Sequence, residues 1–329
     1  MRKCFLLLIL LFILSACGGG NVKQEEKLDQ AIPMDIFLGF PLRFSEEFSG
    51  VLIKKLAENG IEANVSYDTK DKMINFVSAT ENDVVVASDL ISMIMLKDND
   101  NWRILSRILN LRVGLLVPPD SDIKNFADIK NKKIAGYATA INFIKDRAEK
   151  LGWDSIPDVN FSPMDSEKIR QLVLDSEDWS GLDALIVCDS LLSYFQVKGI
   201  VELIEEDKII FPVMANNIYI QEHPEAMVKF FRGFVEAVKV FRKDMIRYKK
   251  FSIEGMPEDI EQEVYTMTYS QEENFDEEGV EPLRLYFNNK EIDYLQDVAD
   301  MVFTYIAQKD LINITDYIDL SYMEKAMEK

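Results

Sequence analysis

The sequence contains very few of the residues on which most enzyme active sites and metal centres depend. His223 is its single histidine, and Cys4, Cys17 and Cys188 are its only cysteines. A single histidine excludes a multi-histidine metal centre. As a lone base His223 stays formally open, but its place beside Pro224, where we expect a helix to begin, favours a capping or surface role.

Catalytic motifs are also missing from the chain. It has no G-x-S-x-G elbow, no Walker loop, no H-E-x-x-H and no paired C-x-x-C. We therefore expect no catalytic residues, no bound metal and no cofactor. Cys188 follows a buried strand pattern, so we interpret it as a small buried hydrophobic residue rather than a nucleophile.

Basic residues are scarce relative to acidic ones. The chain has 37 Lys and Arg against 57 Asp and Glu, a net charge of −20. Because no basic stripe is present, we expect no nucleic-acid partner. The same deficit means that any membrane attachment must come from a lipid rather than from a polybasic surface.

The N-terminus has the form of a secretory leader. A short cationic start is followed by an apolar run at 5–14 and by Leu14-Ser15-Ala16-Cys17. The run is shorter than the roughly 20 residues that a transmembrane helix needs. The tetrapeptide matches the lipobox of bacterial lipoproteins, in which the thiol receives acyl chains such as palmitate. The alternative is an ordinary signal peptide with a chance cysteine.

Three glycines after Cys17 support lipidation, because a flexible tether must follow an anchor. We predict a signal peptide at 1–17 and a tether at 18–31. Cys4 would leave with the signal and Cys17 would carry lipid, so only Cys188 would remain and no intramolecular disulfide is expected. Stability must then come from a hydrophobic core, which a chain that is 48% hydrophobic can build.

The body of the chain alternates strand and helix patterns. Phe48, Leu52 and Leu56 lie on one face of a predicted helix, and apolar and polar residues alternate at 61–67, as in a half-buried strand. This order indicates an α/β fold with a largely parallel sheet. We predict strands at 35–40, 61–67, 84–87, 113–117, 134–136, 159–161 and 184–187, and helices at 48–56, 72–79, 139–151 and 166–174.

The C-terminal third is helical in pattern. Apolar residues from Met227 to Phe241 form a wide stripe after Pro224, for which core packing is favoured over a partner or membrane surface. Further helices are predicted at 258–269 and 291–307.

Three segments of the chain resemble a known family. The first is the valine-containing strand and double proline at 113–123, followed by Phe126-Ala127-Asp128-Ile129-Lys130 and the basic run to Ala135. The second is 183–187 with the stretch 191–195, and the third is 221–226, where a Pro-Glu pair opens a long helix. In this order they resemble the solute-binding proteins of ABC importers for sulfonates, taurine, nitrate and thiamine precursors. The resemblance covers most of residues 32–318.

The resemblance implies a two-lobed α/β structure, the type II-like periplasmic binding protein fold. Each lobe would hold a mixed, mostly parallel sheet flanked by helices, with a helical C-terminal segment. The implied boundaries are 32–117 for the first part of lobe I, 118–212 for lobe II and 213–329 for the return to lobe I with the C-terminal helices.

The chain departs from the family pattern at three places. Asn131 stands where the family usually has glycine, Asp189-Ser190 replaces an acidic residue and proline, and 136–140 replaces a turn rich in Gly, Ser and Thr. The resemblance places these departures near the implied cleft, so they bear on the ligand more than on the fold.

Ligands in such sheets lie at the carboxyl ends of strands, where helix N-termini also point. Those ends and the return crossing give the predicted ligand-binding set: Phe40, Pro41, Arg43, Phe44, Ser88, Asp89, Tyr137, Ala138, Thr139, Ala140, Asp189, Ser190, Asn216 and Asn217. Several have a structural alternative. Phe40 and Phe44 would also suit a core, Arg43 a surface, and Thr139 an N-cap.

The resemblance implies an extracytoplasmic lipoprotein, anchored at Cys17, that captures a small organic solute and delivers it to ABC permease and ATPase subunits. Two ligand classes stay open. Aromatic residues beside Asp89 and Asp189 favour a heteroaromatic such as a thiamine-precursor pyrimidine, whereas Arg43 and a helix N-terminus favour a sulfonate-type anion. The rival roles are a sensor or adhesin without transport, and an enzyme similar to the pyrimidine synthases that consume an active-site histidine.

Overall fold

The computed structural model describes residues 31–39, 45–67, 81–99, 101–137, 140–153, 159–175, 179–243, 262–268, 284–307 and 309–328. The predicted signal peptide, Cys17 and most of the tether lie outside these ranges, as does the helix predicted at 72–79. Residues Ile32–Lys329 form one unit.

The described part of this unit is an α/β structure with an eight-stranded mixed sheet. The strands are β1 (Ile32–Leu38), β2 (Ile61–Tyr67), β3 (Val84–Val86), β4 (Trp102–Val117), β5 (Lys133–Gly136), β6 (Asn160–Pro163), β7 (Ala184–Cys188) and β8 (Glu202–Asn216).

Helices connect and cover these strands. They are α1 (Ser45–Glu58), α2 (Asp89–Asp98), α3 (Ile141–Lys150), α4 (Ser166–Asp175), α5 (Asp189–Val197), α6 (Asn217–Glu222), α7 (Pro224–Lys243), α8 (Gln262–Thr268), α9 (Asn289–Met301) and α10 (Ser321–Met327). A π-helical turn, Val302–Ala307, extends α9. No helix among the described residues is both long and apolar enough to cross a bilayer.

The sheet consists of two parallel triplets on either side of a long antiparallel pair. Its strand order is β2-β1-β3-β8-β4-β7-β5-β6. Strands β2, β1 and β3 are parallel, and so are β6, β5 and β7. β3 pairs antiparallel with the end of β8, and β7 pairs in the same way with the end of β4. The two halves therefore have the same local topology around the β4–β8 pair.

Most of the predicted strands are confirmed, but the two central strands are much longer than the sequence pattern predicts. The strand predicted at 113–117 is only the end of the 16-residue β4, and β8 was not predicted. The predicted lobe boundary at 212/213 falls inside β8. The division into 32–117, 118–212 and 213–329 stays a prediction.

Helices bury both faces of the sheet, so the strands are apolar on both sides. In β3, Val84 and Val86 belong to one hydrophobic cluster, whereas Val85 belongs to a second cluster with Trp102. In the first cluster, the rings of Phe48 on α1 and Phe234 on α7 meet edge to face, 5.4 Å apart. The apolar stripe of α7 is core, as its spacing predicted.

Two backbone positions explain residues that the sequence analysis singled out. Asn131 has a φ of 61°, in the left-handed region. Glycine adopts this region freely and asparagine tolerates it, so asparagine can occupy the position where the family has glycine. At Gly136, an added Cβ would lie 2.5 Å from the carbonyl oxygen of Ile186, so the approach of β5 to β7 requires glycine here.

A buried ionic cluster fixes α9 to the centre of the sheet. The Glu291 side chain is fully buried and accepts two 2.8 Å hydrogen bonds from Arg284. Its carboxylate also lies 3.7 Å from Arg107 on β4 and 3.3 Å from Lys208 on β8. The Arg284 hydrogen bonds and the Arg107 charge outweigh burial and hold the pKa of Glu291 at about 2. Glu291 therefore stays ionised and offsets the charge of basic groups from three segments.

We predict that Glu291→Gln destabilises the fold strongly, because it removes an acid that these three basic groups share. Breaking a buried ion pair typically lowers the free energy of unfolding by about 3–5 kcal/mol. Urea denaturation would measure the loss. The control is Asp293→Asn, an exposed acid on the same helix, which should change stability by about 0.5 kcal/mol at most. Similar losses in both variants would contradict the assignment.

Candidate functional site

The carboxyl ends of the two parallel triplets approach the same stretch of β8. The last residue of β3, Val86, is in register with Val213. The last residue of β7, Cys188, is in register with Val113 of β4, which in turn pairs with Asp207. The two ends are thus separated along β8 by the six residue steps from Asp207 to Val213, or about 20 Å.

A cavity of about 550 Å³ lies at this junction. Its floor is formed by Asp207, Lys208 and Ile209 of β8, with Val113 of the neighbouring β4. This volume is in the range of small-molecule sites.

Helix α3 forms one wall of the cavity. Phe143, Asp146, Arg147 and Lys150 all line it. Their spacing of three, four and seven residues places them on one face of the helix. The Arg147 guanidinium lies over the Phe143 ring, 3.9 Å from its centroid.

Ion pairs to β8 hold this wall in place. Arg147 donates from Nε to Glu205 at 2.6 Å and from Nη2 to Asp207 at 2.9 Å. Nη1 also donates to Asp146 of α3 at 3.1 Å. Because the side chain is largely buried, these charge-assisted bonds orient α3 firmly against the floor.

Helix α9 forms a second wall, and its lining residues have the same spacing. Tyr294, Asp297, Val298 and Met301 line the cavity. The buried Glu291 cluster, one turn before Tyr294, fixes the start of this wall. The cavity therefore lies between two helices that are each tied to β8 through charged groups.

Asp89 connects the start of α2 to both the floor and the α9 wall. Its side chain is only 2% exposed. Oδ2 accepts hydrogen bonds from the Tyr294 hydroxyl at 2.7 Å and from the Ile210 amide at 3.2 Å, and Oδ1 accepts one from the Leu90 amide at 2.6 Å. Burial outweighs these bonds and raises the pKa of Asp89 to about 6.

The structure brings some of the predicted site residues to this cavity. Asp89 and Ala140 line it. Ser88 is the buried N-cap of α2, and Ser190 is buried in the first turn of α5, beside the end of β7. Tyr137 follows β5 and is half-buried against the core.

Asn216 and Asn217 lie away from the cavity, at the end of the sheet where β3 begins. Asn216 follows the pairing of Ala215 with Val84, so it lies at the amino end of β3, where its amide donates to the Asp83 carbonyl. Its side chain caps α6 by accepting a hydrogen bond from Ile218. Asn217 donates its amide to the Asn101 carbonyl. The antiparallel direction of β8, which the sequence did not reveal, explains this placement.

The remaining predicted positions lie outside the described residues: Phe40, Pro41, Arg43, Phe44, Ala138 and Thr139. Asp189 begins α5, and its side chain is likewise outside the described part.

Sequence reasoning missed most of the walls. Tyr294 and Asp297 follow a helical pattern that carries no sign of a site. A signal did exist on β8, where Glu205, Glu206 and Asp207 precede the buried run Ile209–Ala215. Three consecutive acids inside a strand require partners, and Arg147 and Arg112 supply them.

His223 and Cys188 both lie in positions typical of structural rather than catalytic residues. His223 ends α6, directly before α7, and its ring lies 5.0 Å from the Tyr219 ring. Cys188 is buried, and burial raises the pKa of its thiol, so the thiolate that a nucleophile needs is disfavoured. Within the described residues, no group of three His, Cys, Asp or Glu side chains is arranged to hold a metal.

We predict that Asp89 makes stability depend on pH in a defined window. Its pKa rises from 3.8 to about 6 on folding, so near pH 5 the folded state binds a proton that the unfolded state releases. Relative to Asp89→Asn, the wild type should gain about 2.4 kcal/mol as the pH falls from 7 to about 4. Urea denaturation of both proteins across this range measures the difference. A difference that stays constant, or that shrinks on acidification, would contradict the burial of this carboxylate.

No protein-family model matches this chain, and no curated protein sequence matches it. Solved structures do. The periplasmic sulfonate-binding protein SsuA from Methylobacillus flagellatus KT superposes with a TM-score of 0.67 at 13% identity, covering 91% of this chain and 94% of that one. The periplasmic aliphatic sulphonate-binding protein SsuA from Escherichia coli gives 0.64 at 14% identity, covering 90% and 99%.

An enzyme is also among the similar structures. The desulfurization enzyme DSZB has a TM-score of 0.57 at 13% identity, covering 90% of this chain and 99% of that chain. At these identities the similarity establishes architecture rather than activity. The α/β chain described here has the periplasmic binding protein fold.

Proposed function

We propose that this protein is an extracytoplasmic solute-binding lipoprotein that captures a small organic solute and delivers it to the permease and ATPase subunits of an ABC importer. The observation that carries the proposal is the cavity of about 550 Å³ at the junction of the two strand triplets. Its position follows the general rule that open α/β sheets bind ligands beyond the carboxyl ends of their strands.

The leader-like N-terminus supports the proposed extracytoplasmic location. The apolar run at 5–14 and the lipobox ending at Cys17 would export the chain and anchor it through lipid. In that case Cys17→Ser should release the protein from the membrane fraction while leaving solute binding unchanged.

The cavity has the surfaces that an organic solute needs. Phe143, Val298 and Met301 offer apolar contact, and Tyr294 adds a ring whose hydroxyl is already engaged by Asp89. Aromatic rings provide large contact areas for heteroaromatic ligands. We therefore favour a ring-containing solute, such as a pyrimidine, over an inorganic anion.

The similarity to the desulfurization enzyme DSZB makes an enzyme the second candidate. The placement of the two reactive side chains counts against a nucleophilic mechanism. Cys188 is buried with a raised thiol pKa, and His223 lies next to Tyr219 at the end of α6. A sensor or adhesin would keep the same cavity without transport partners.

Thermal shift of the purified full-length protein tests solute capture. The panel contains pyrimidines, flavins, alkanesulfonates, taurine and nitrate. A solute at 100 times its dissociation constant adds about 2.7 kcal/mol to the free energy of unfolding, which raises the melting temperature by several degrees. A selective shift supports the proposal, and silence from folded, ligand-free protein contradicts it.

Two matched variants locate the binding. Met301→Trp places a large ring in the cavity wall and should abolish the shift. Met327→Trp makes the same change on exposed α10 and should preserve it. The unliganded melting temperatures of the two variants check that both are folded. A shift that survives Met301→Trp would place the solute elsewhere.

A further inference from the structure

The cavity has an excess of acidic groups. Six carboxylates and four basic groups line it. A cavity enclosed by protein walls concentrates the electric field of its charges, so a small excess influences which solutes enter.

Each basic group of the lining already has a carboxylate partner within 3.5 Å. The ion pairs are Lys145–Glu149, Arg147–Asp207, Lys150–Asp146 and Lys208–Glu291. A sulfonate or nitrate would therefore have to compete with carboxylates that are held next to these cations.

The acids of α9 are different. Asp297 and Asp300 line the cavity, and neither has a basic group within ion-pair distance among the described residues. Burial and the nearby charges of Asp146 and Asp300 raise the pKa of Asp297 by more than the charge of Lys150 lowers it, as expected where the local potential is negative. This wall therefore carries negative charge that the nearby Lys150 offsets only in part.

Asp89 adds a buried acceptor behind that wall. A carboxylate offers roughly four acceptor positions, and the amides of Leu90 and Ile210 and the Tyr294 hydroxyl fill three of them. Among the described residues, Oδ1 accepts a hydrogen bond from the Leu90 amide alone, so it has room for one further donor.

We propose that the solute is an organic cation, a small molecule with a protonated nitrogen attached to an apolar or ring portion. The nitrogen lies against Asp297 and Asp300 on α9, and the apolar portion lies against Val298 and Phe143. This inference rests on the proposed function and narrows it. It also separates the chain from the sulfonate-binding proteins among its structural neighbours, since sulfonates are anions.

Three probes that share a benzyl group test the charge preference. They are benzylamine, benzyl alcohol and phenylmethanesulfonate, which are cationic, neutral and anionic at pH 7. Titration calorimetry on the full-length protein at low and physiological salt gives their affinities. The amine should bind at least tenfold more tightly than the sulfonate, and added salt should reduce this ratio, because screening weakens exposed charges.

Asp297→Asn identifies the residue responsible. It should weaken benzylamine about fivefold and leave benzyl alcohol unchanged, since the loss of one partly exposed ion pair has this magnitude. The matched control is Asp293→Asn, which removes the same charge from an exposed position one turn earlier, outside the cavity lining. It should change each affinity less than twofold.

The outcomes separate the two proposals. Tighter binding of the sulfonate, or equal losses in Asp297→Asn and Asp293→Asn, overturns the cation inference and leaves solute capture standing. Absence of binding for all three probes at millimolar concentration, together with silence across the wider solute panel, overturns solute capture itself.

Discussion

The antiparallel pairing of β4 with β8 is the constraint on which the other features of this structure depend. The two strands stay in register from Trp102 with Asn216 to Val117 with Glu202, apart from three irregularities. β3 attaches near one end of the pair and β7 near the other, so the two parallel triplets point their carboxyl ends toward its centre. The same centre carries the floor of the cavity and the basic groups that hold Glu291. Shifting this register would displace the floor, the helix walls and the ionic cluster together.

The sequence reveals the elements whose pattern is local. The alternation at 61–67 and the buried face of α1 depend only on neighbours in the chain, and both predictions are confirmed. The first part of β4 could not be found in this way. It contains Arg107, Asn110 and Arg112, which are buried, and such residues are tolerated only because Glu291 and Glu206 reach them from segments roughly a hundred to almost two hundred positions later. That compensation is tertiary and leaves no periodic signal.

In the candidate site, too, local patterns could be predicted from the sequence and tertiary contacts could not. The rule that ligands bind beyond strand ends led to Asp89 and Ala140, which do line the cavity. Asn216 was chosen instead for its place near the return crossing, because the sequence did not show that β8 runs against β3 and carries its carboxyl end to the amino end of β3. The α9 wall was beyond such reasoning, since Tyr294 reaches Asp89 across 205 positions. The fold therefore does not determine the ligand. The backbone is that of periplasmic binding proteins, whereas the side chains of this particular sequence determine the charges of the cavity.

A crystal structure of the full-length chain with the most tightly bound solute of the panels tests the central claim, that the cavity between α3 and α9 is the binding site. The account predicts that the solute lies on the floor formed by Asp207–Ile209, with a polar nitrogen facing Asp297 and an apolar portion against Val298. A solute found at the opposite edge of the sheet, near Asn216, or on the outer surface with this cavity still empty, would contradict it.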